Sequence, residues 1–304
     1  MKVRQVNVFL PTLKQLQYLA ALHDFGHFGK AADACFVTQS TLSAGIQDLE
    51  KLVGLQIVER TRRSVHFTPY GELIAAKARR VLREAEELAD LARAAAEPLS
   101  GELRLSVIPT IAPFILPRIL PKLRQDWPNL RLMLREETSA AACDALNRGT
   151  VDCVLLALPY TCGEFDAEEL FQDPLYVAWP GKEPAPNIAT PDTIDPSRLL
   201  LLEDGHCLKD HAISACNRPE LRVESAMLAT SLHTLVQMVE NGFGVTMLPE
   251  MAISAGILKD TSVIAKPLSS ANASRTIALI WRKASPRVRD YRLLAGELRA
   301  ACGD

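Results

Sequence analysis

Two cysteines, Cys207 and Cys216, stand nine positions apart in the stretch Gly-His-Cys-Leu-Lys-Asp-His-Ala-Ile-Ser-Ala-Cys at 205–216. A helix across that interval holds their Cα atoms roughly 13–14 Å apart, at about 1.5 Å per residue. A disulfide needs about 4.4–6.8 Å. Joining the two thiols therefore forces the backbone between them to refold, and a local oxidation becomes a change of shape. His206, Lys209, Asp210 and His211 surround Cys207, and cations near a thiol favour the nucleophilic thiolate. A second thiol within reach stops oxidation at a disulfide, short of irreversible sulfinic acid. The spacing is equally met by two cysteines packed as small hydrophobes in an Ala-rich helix, and that alternative stays open on these residues alone.

The elements that must position this stretch follow from the rest of the chain. With 304 residues it exceeds one typical domain. The net charge of −2 hides an asymmetry: residues 1–83 carry 12 Lys+Arg against 6 Asp+Glu, a net of +6, and the remainder supplies −8. Only a basic head then meets an anionic surface. Seven cysteines without a CxxC pair argue against a metal site, and no metal or cofactor is expected. The absence of a signal peptide or long apolar run predicts a cytoplasmic protein with no membrane partner. In that reducing setting a disulfide is a signal and not a staple. The other five cysteines read as core or surface residues.

Helical periodicity starts at Thr12, with Leu13, Leu16, Ala20 and His23 on one face, and resumes through Phe28, Ala31, Ala32 and Cys35. After a turn at Phe36-Val37, Thr38 caps a third helix whose Leu42, Ile46, Leu49 and Val53 point inward. Its other face offers Gln39, Ser40, Thr41, Ser43 and Gln47, short hydrogen-bonding groups suited, with Thr38, to base edges and phosphates in a major groove. Two strand-like pieces then flank a basic tip containing Arg60, Arg62 and Arg63, which reads as a wing on phosphate or minor groove. Domains are expected at 11–68 (winged helix-turn-helix), 69–98 (linker helix) and 99–304. The linker starts at Thr68-Pro69, and Ile74, Ala78, Val81, Ala85, Leu88, Ala92 and Ala95 repeat at 4-3 spacing, a seam for self-pairing. From Glu102 strands and helices alternate, predicting an α/β domain with largely parallel sheets. Ligands in such folds sit at the carboxyl ends of strands, where Ile108-Pro109-Thr110 and Glu203 to Cys207 fall. No GxGxxG, P-loop, HExxH or GxSxG occurs, which weighs against a familiar enzyme.

Phe28-Gly29-Lys30-Ala31-Ala32, Gln39-Ser40-Thr41-Leu42-Ser43, Leu49-Glu50, Leu55 and Glu59-Arg60-Thr61 resemble the LysR-type transcriptional regulators, over nearly the whole chain. The resemblance implies a winged helix-turn-helix, a linker helix and a two-lobed effector domain like periplasmic binding proteins. The block Leu202 to Asp210 with Cys216, together with Ile108-Pro109-Thr110, Thr138, Gly244 to Pro249 and Arg275-Thr276-Ile277, resembles the peroxide-sensing activators of that family. By that likeness Cys207 is the thiol oxidised by hydrogen peroxide and Cys216 the resolving thiol. Thr110, His206 and Arg275 position peroxide and stabilise the thiolate, Asp210 assists loss of water, and Thr138 shares the pocket. The likeness further implies double-stranded DNA, self-association as dimer or tetramer, RNA polymerase, and a reductant such as glutaredoxin or thioredoxin, with activation of antioxidant genes. Lys209 departs from the pattern, standing where many relatives carry arginine. The rivals are a metabolite-sensing regulator of the same family without redox switching, and a thiol peroxidase.

Overall fold

The computed structural model of the chain describes residues 10–60, 65–94, 97–217 and 228–302. The chain divides into two compact units, Met1–Asp90 and Leu91–Asp304.

In the first unit three helices, α1 (Leu13–Phe25), α2 (Phe28–Ala34) and α3 (Gln39–Val53), precede a two-stranded ribbon, β1 (Val58–Arg60) and β2 (Val65–Phe67). The long helix α4 (Pro69–Ala94) starts here. Thr12 caps α1 through a reciprocal box with Gln15, and Gly26 closes it in the left-handed region at φ 58°. Leu16, Leu19, Leu22, Leu42, Ile46 and Leu49 are buried in one core. The predicted α1 stripe is thus shifted: Leu16 is core, Leu13 is exposed and Ala20 and His23 are only partly covered. Glu50 fastens the ribbon to α3, its Oε1 accepting from the Ile57 and Val58 N–H groups at 2.9 and 3.1 Å.

The start of α4 packs on this head, so Ala78 is buried and Ile74 half-buried within their own unit. Those two seam positions are therefore head contacts. Val81 and Leu88 of the same seam are exposed. Gly71 shows how close the packing is, because a Cβ there would lie 2.2 Å from the Ile57 carbonyl oxygen, a backbone atom that cannot step aside. Gly71→Ala is expected to destabilise the head by about 1–3 kcal/mol, as overpacking does. A urea titration followed by far-ultraviolet circular dichroism measures it; an unchanged midpoint would mean that the contact relaxes freely.

The second unit begins with β3 (Gly101–Val107), α5 (Ala112–Asp126), β4 (Leu130–Glu136), α6 (Ser139–Arg148) and β5 (Cys153–Leu158). The long strand β6 (Phe165–Trp179), β7 (Leu199–Leu202), α7 (Cys207–Cys216) and β8 (Leu228–Ala229) follow. Then come α8 (Leu232–Glu240), β9 (Val245–Pro249), α9 (Glu250–Ser254), β10 (Ile264–Pro267), β11 (Ser274–Arg282) and α10 (Val288–Cys302). The strands form one sheet in the order β4-β3-β5-β11-β6-β9-β7-β8, with β10 also on β6.

Two lobes share this sheet because β6 serves both. Its first part pairs with β11, and its last residues pair with β9 and β10. One core gathers β3, β5, β11, α5, α6 and α10, and the other gathers β7, β9, α7 and α8. The expectation of largely parallel sheets needs correction. β3, β4 and β5 are parallel, as are β7, β8 and β9. Yet β6, β10 and β11 run antiparallel. A strand that leaves one lobe for the other and a strand that returns must run in opposite senses. α5 continues through Pro117 and Pro121, although each lacks the N–H that a helix interior uses.

Candidate redox site and DNA-recognition face

Cys207 is the first residue of α7 and Cys216 the last, so the two thiols end one uninterrupted helix and neither is in a disulfide. Cys207 lies fully buried in the first lobe's core and Cys216 buried in the second's. The helix stops at Asn217 in the left-handed region, φ 52°.

Ser139, the first residue of α6, meets Cys207 at close range: its Oγ accepts from the Cys207 N–H at 3.2 Å, and its side chain favours the thiolate. The backbone of Ala157 in β5 also favours the thiolate of Cys207. Gly205, at φ +93°, lets the chain turn into α7, and its carbonyl accepts from the Ala140 N–H at 3.2 Å. Thr138 Oγ1 caps α6 by accepting from Ala141 N–H at 3.4 Å, and it borders Gly205.

Arg275 of β11 is the cation that acts on the thiol. It is 1% exposed. Its Nε donates to Asp173 Oδ2 at 2.9 Å, its Nη1 to Thr110 Oγ1 at 2.9 Å and its Nη2 to the Thr110 carbonyl at 3.1 Å. Burial pushes the Cys207 thiol up from its ordinary range, while Arg275, Ser139 and Ala157 pull it down and Asp210 adds to the rise. The resting group is a protonated thiol with thiolate stabilisers already in place, which differs from the thiolate that the sequence suggests. The local cations are spent otherwise. Lys209 pairs with Asp204 at 2.7 Å through a single ammonium contact, where a guanidinium fork would offer two. Burial lowers the pKa of His206 and of His211, which keeps both neutral near pH 7. Asp210 lies exposed in the first turn of α7.

His211 Nε2 bonds the Pro159 carbonyl at 3.0 Å. Because its folded pKa falls below the ordinary 6.5, the unfolded chain binds the proton first as the solution acidifies. Stability contributed by this group is present above about pH 6.5 and is lost as pH falls toward the depressed value. His211→Gln is expected to flatten the acid side of the urea stability profile. A slope identical to the parent's would contradict the burial of a neutral ring.

Two features escaped the sequence. Asp173, Ser139 and Ala157 complete the site, and only the helix-starting position of Ser139 had a signal. Cys143 and Cys162, expected to pack as core or surface residues, lie in the first lobe's core and, beyond that expectation, are joined by a disulfide with Cα atoms 5.2 Å apart. They face each other because α6 lies over the segment that follows β5. A cavity of about 550 Å³ lies beside the redox site, lined among others by Phe114, Arg118, Phe171, Asp173, Met251 and Cys302.

In the first unit Thr38 Oγ1 accepts from the Thr41 N–H at 3.2 Å and caps α3. Thr38, Gln39, Ser40, Thr41 and Gln47 are exposed and Ser43 is half-buried, so the predicted reading face is available. The side chain of Arg60, together with Arg62 and Arg63, lies outside the described residues. Thr38→Ala is expected to cost about 1 kcal/mol through the lost cap and to weaken DNA binding measured by fluorescence anisotropy.

A helix-turn-helix head followed by a two-lobed α/β unit with a buried residue network between its lobes defines a ligand- or signal-responsive DNA-binding regulator. The lysR-family model of bacterial regulatory helix-turn-helix proteins matches residues 13–72, and the LysR substrate binding domain matches 96–303. The chain belongs to the LysR family of DNA-binding transcriptional regulators. It is 42% identical over 292 residues to the HTH-type transcriptional regulator EstR of Acinetobacter baylyi, covering 95% of this chain and 97% of that one. It is 38% identical over 294 residues to the hydrogen peroxide-inducible genes activator of Escherichia coli O157:H7, covering 95% of each. A full-length OxyR variant from Pseudomonas aeruginosa superimposes with a TM-score of 0.77 at 33% identity, covering 95% of this chain and 94% of that one. No helix among the described residues is long and apolar enough to cross a membrane.

Proposed function

We propose that this regulator senses hydrogen peroxide through Cys207 and transmits the signal by bonding Cys207 to Cys216. The observation that carries the reading is a single helix with one cysteine outside any disulfide at each end, each end anchored in a different lobe. The Cys207 thiolate attacks one peroxide oxygen, the O–O bond breaks, and water leaves with the released proton. Arg275 and the Ser139 hydroxyl stabilise the sulfur anion that attacks, and Thr110 orients the guanidinium. Cys216 then attacks the sulfenic sulfur, and a second water carries off the oxygen. His206, adjacent in sequence to the reacting cysteine, and Asp210, whose charge acts on its sulfur, serve as proton-handling groups, and Thr138 fixes the adjoining turn. A bond between the ends of a ten-residue helix requires that helix to unwind. Repacking of the two lobes then changes how paired heads meet double-stranded DNA.

The remaining assignments follow from this reading: self-association as dimer or tetramer through α4 and the second unit, contact with RNA polymerase at activated promoters of antioxidant genes, a cytoplasmic setting, and resetting by a thiol reductant of the glutaredoxin or thioredoxin kind. The relative in Escherichia coli named for peroxide-inducible genes supports it. DNA footprints with and without stoichiometric peroxide test it: a changed footprint that disappears in Cys207→Ser supports sensing, and an unchanged footprint contradicts it.

A second reading has an observation of its own. EstR, at 42% identity, is not named for peroxide, and the 550 Å³ cavity would hold a small metabolite. Under that reading the response survives in Cys207→Ser. A thiol peroxidase does not fit a chain of a DNA-binding regulator family.

A further inference from the structure

The Cys143–Cys162 disulfide lies inside the frame that holds the sensor helix. Cys143 is one turn beyond Ser139 on α6, and residues four apart share a helix face. Ser139 is the residue that grips Cys207. Cys162 follows Pro159 by three residues, and the Pro159 carbonyl takes the bond from His211, one turn into α7. The disulfide therefore ties together two of the segments that touch α7. Asn147 of α6 adds a hydrogen bond to the Cys162 carbonyl, 3.2 Å long. Both cysteines are nearly inaccessible, at 5% and 3% exposure, within the same core as Cys207.

We infer that Cys143 and Cys162 are a second redox couple, oxidised by a hydroperoxide and reduced by a dithiol, whose state sets how readily α7 unwinds. One of the two thiolates attacks a peroxide oxygen, breaking the O–O bond. Water leaves with the thiol's proton and a sulfenic acid remains. The other sulfur attacks it, the S–O bond breaks, and a second water departs with the second proton. Two electrons have passed from the thiols to the peroxide. A dithiol returns two electrons and two protons and becomes a disulfide itself. In the bonded state the segment carrying Pro159 cannot drift from α6, so His211 stays anchored and closure of Cys207–Cys216 is slow. In the reduced state that anchor loosens and closure is faster, by a few-fold to roughly tenfold, the size of one net hydrogen bond. The coupling rests on the reading that Cys207 reacts with peroxide; the couple itself does not.

Two arms separate them. The full-length Cys207→Ser/Cys216→Ser chain is reduced with excess dithiothreitol in native buffer, then exposed to hydrogen peroxide and mapped by alkylation and mass spectrometry. The couple predicts free thiols at 143 and 162 after reduction and one cross-linked peptide pair after peroxide. Alkylation of both residues after peroxide, or a cross-link that survives native reduction, overturns it. The second arm follows Cys207–Cys216 closure in Cys143→Ala, Cys162→Ala and the parent with the pair bonded, each checked for a native circular dichroism spectrum. Faster closure in either folded variant supports the coupling. Equal rates overturn the coupling while leaving the first arm's result to stand.

Discussion

Cys207→Ser is expected to abolish the peroxide response of the full-length chain, reducing any peroxide-dependent change in DNA footprint to background. The serine hydroxyl matches the thiol in shape and keeps the 0% exposed site filled, so the loss belongs to chemistry and not to packing. Groups acting as one unit lose nearly all their effect when one is removed. The double variant Cys207→Ser/Cys216→Ser should therefore behave like the single one. Cys216→Ser differs in kind: it leaves a Cys207 sulfenic acid with no partner, detectable as one added oxygen and trapped by dimedone. A Cys207→Ser chain that still responds to peroxide would transfer the sensing role to another of the five cysteines outside the disulfide or to the metabolite reading.

The second large effect concerns Asp173. Its carboxylate and the Arg275 guanidinium form a fully buried pair, 1% and 0% exposed at their side chains. Removing one partner of such a pair strands a charge away from water, at a cost of about 3–5 kcal/mol. Asp173 Oδ1 also accepts from the Met251 N–H at 3.0 Å, which fixes the start of α9. Asp173→Ala is thus expected to lower the stability of the second unit by that amount, and Asp173→Asn by less, since the amide oxygen still accepts. All three tryptophans, Trp127, Trp179 and Trp281, belong to this unit, so urea titration by intrinsic fluorescence reports on it selectively. The same variants should slow oxidation of Cys207, because Arg275 would no longer be held toward it. Stability lost without any change in the oxidation rate would confine the pair to a structural role.

Much of the architecture was legible because local signals and tertiary outcome agree. Thr38 caps α3, Gly54 ends it at φ 70°, and Ser139 to Arg148 forms α6 as read. Buried strands such as Cys153–Leu158 announce themselves as short apolar runs. β6 is hidden in the sequence, because its first half mixes Asp166, Glu168 and Glu169 among the apolar residues. Its pairing with β11 is set across the sheet and not by its own alternation. The chemistry split in the same way. Cys207, Cys216 and the residues flanking Cys207 sit in one stretch and are visible by spacing. Asp173 is 102 residues before Arg275, and nothing in either neighbourhood marks them as partners. The α4 seam meets a related limit: a 4-3 repeat shows which residues lie on one stripe, not whether the stripe meets its own head, as Ala78 does.

The most direct trial of the account treats the reduced full-length chain with one equivalent of hydrogen peroxide, maps its thiols by mass, and follows backbone hydrogen exchange over 205–217. The account predicts a Cys207–Cys216 cross-link together with loss of amide protection through α7. A cross-linked chain whose α7 amides stay as protected as in the reduced form would contradict it, and so would an intact α7 with both thiols free in a chain whose DNA footprint has nonetheless changed.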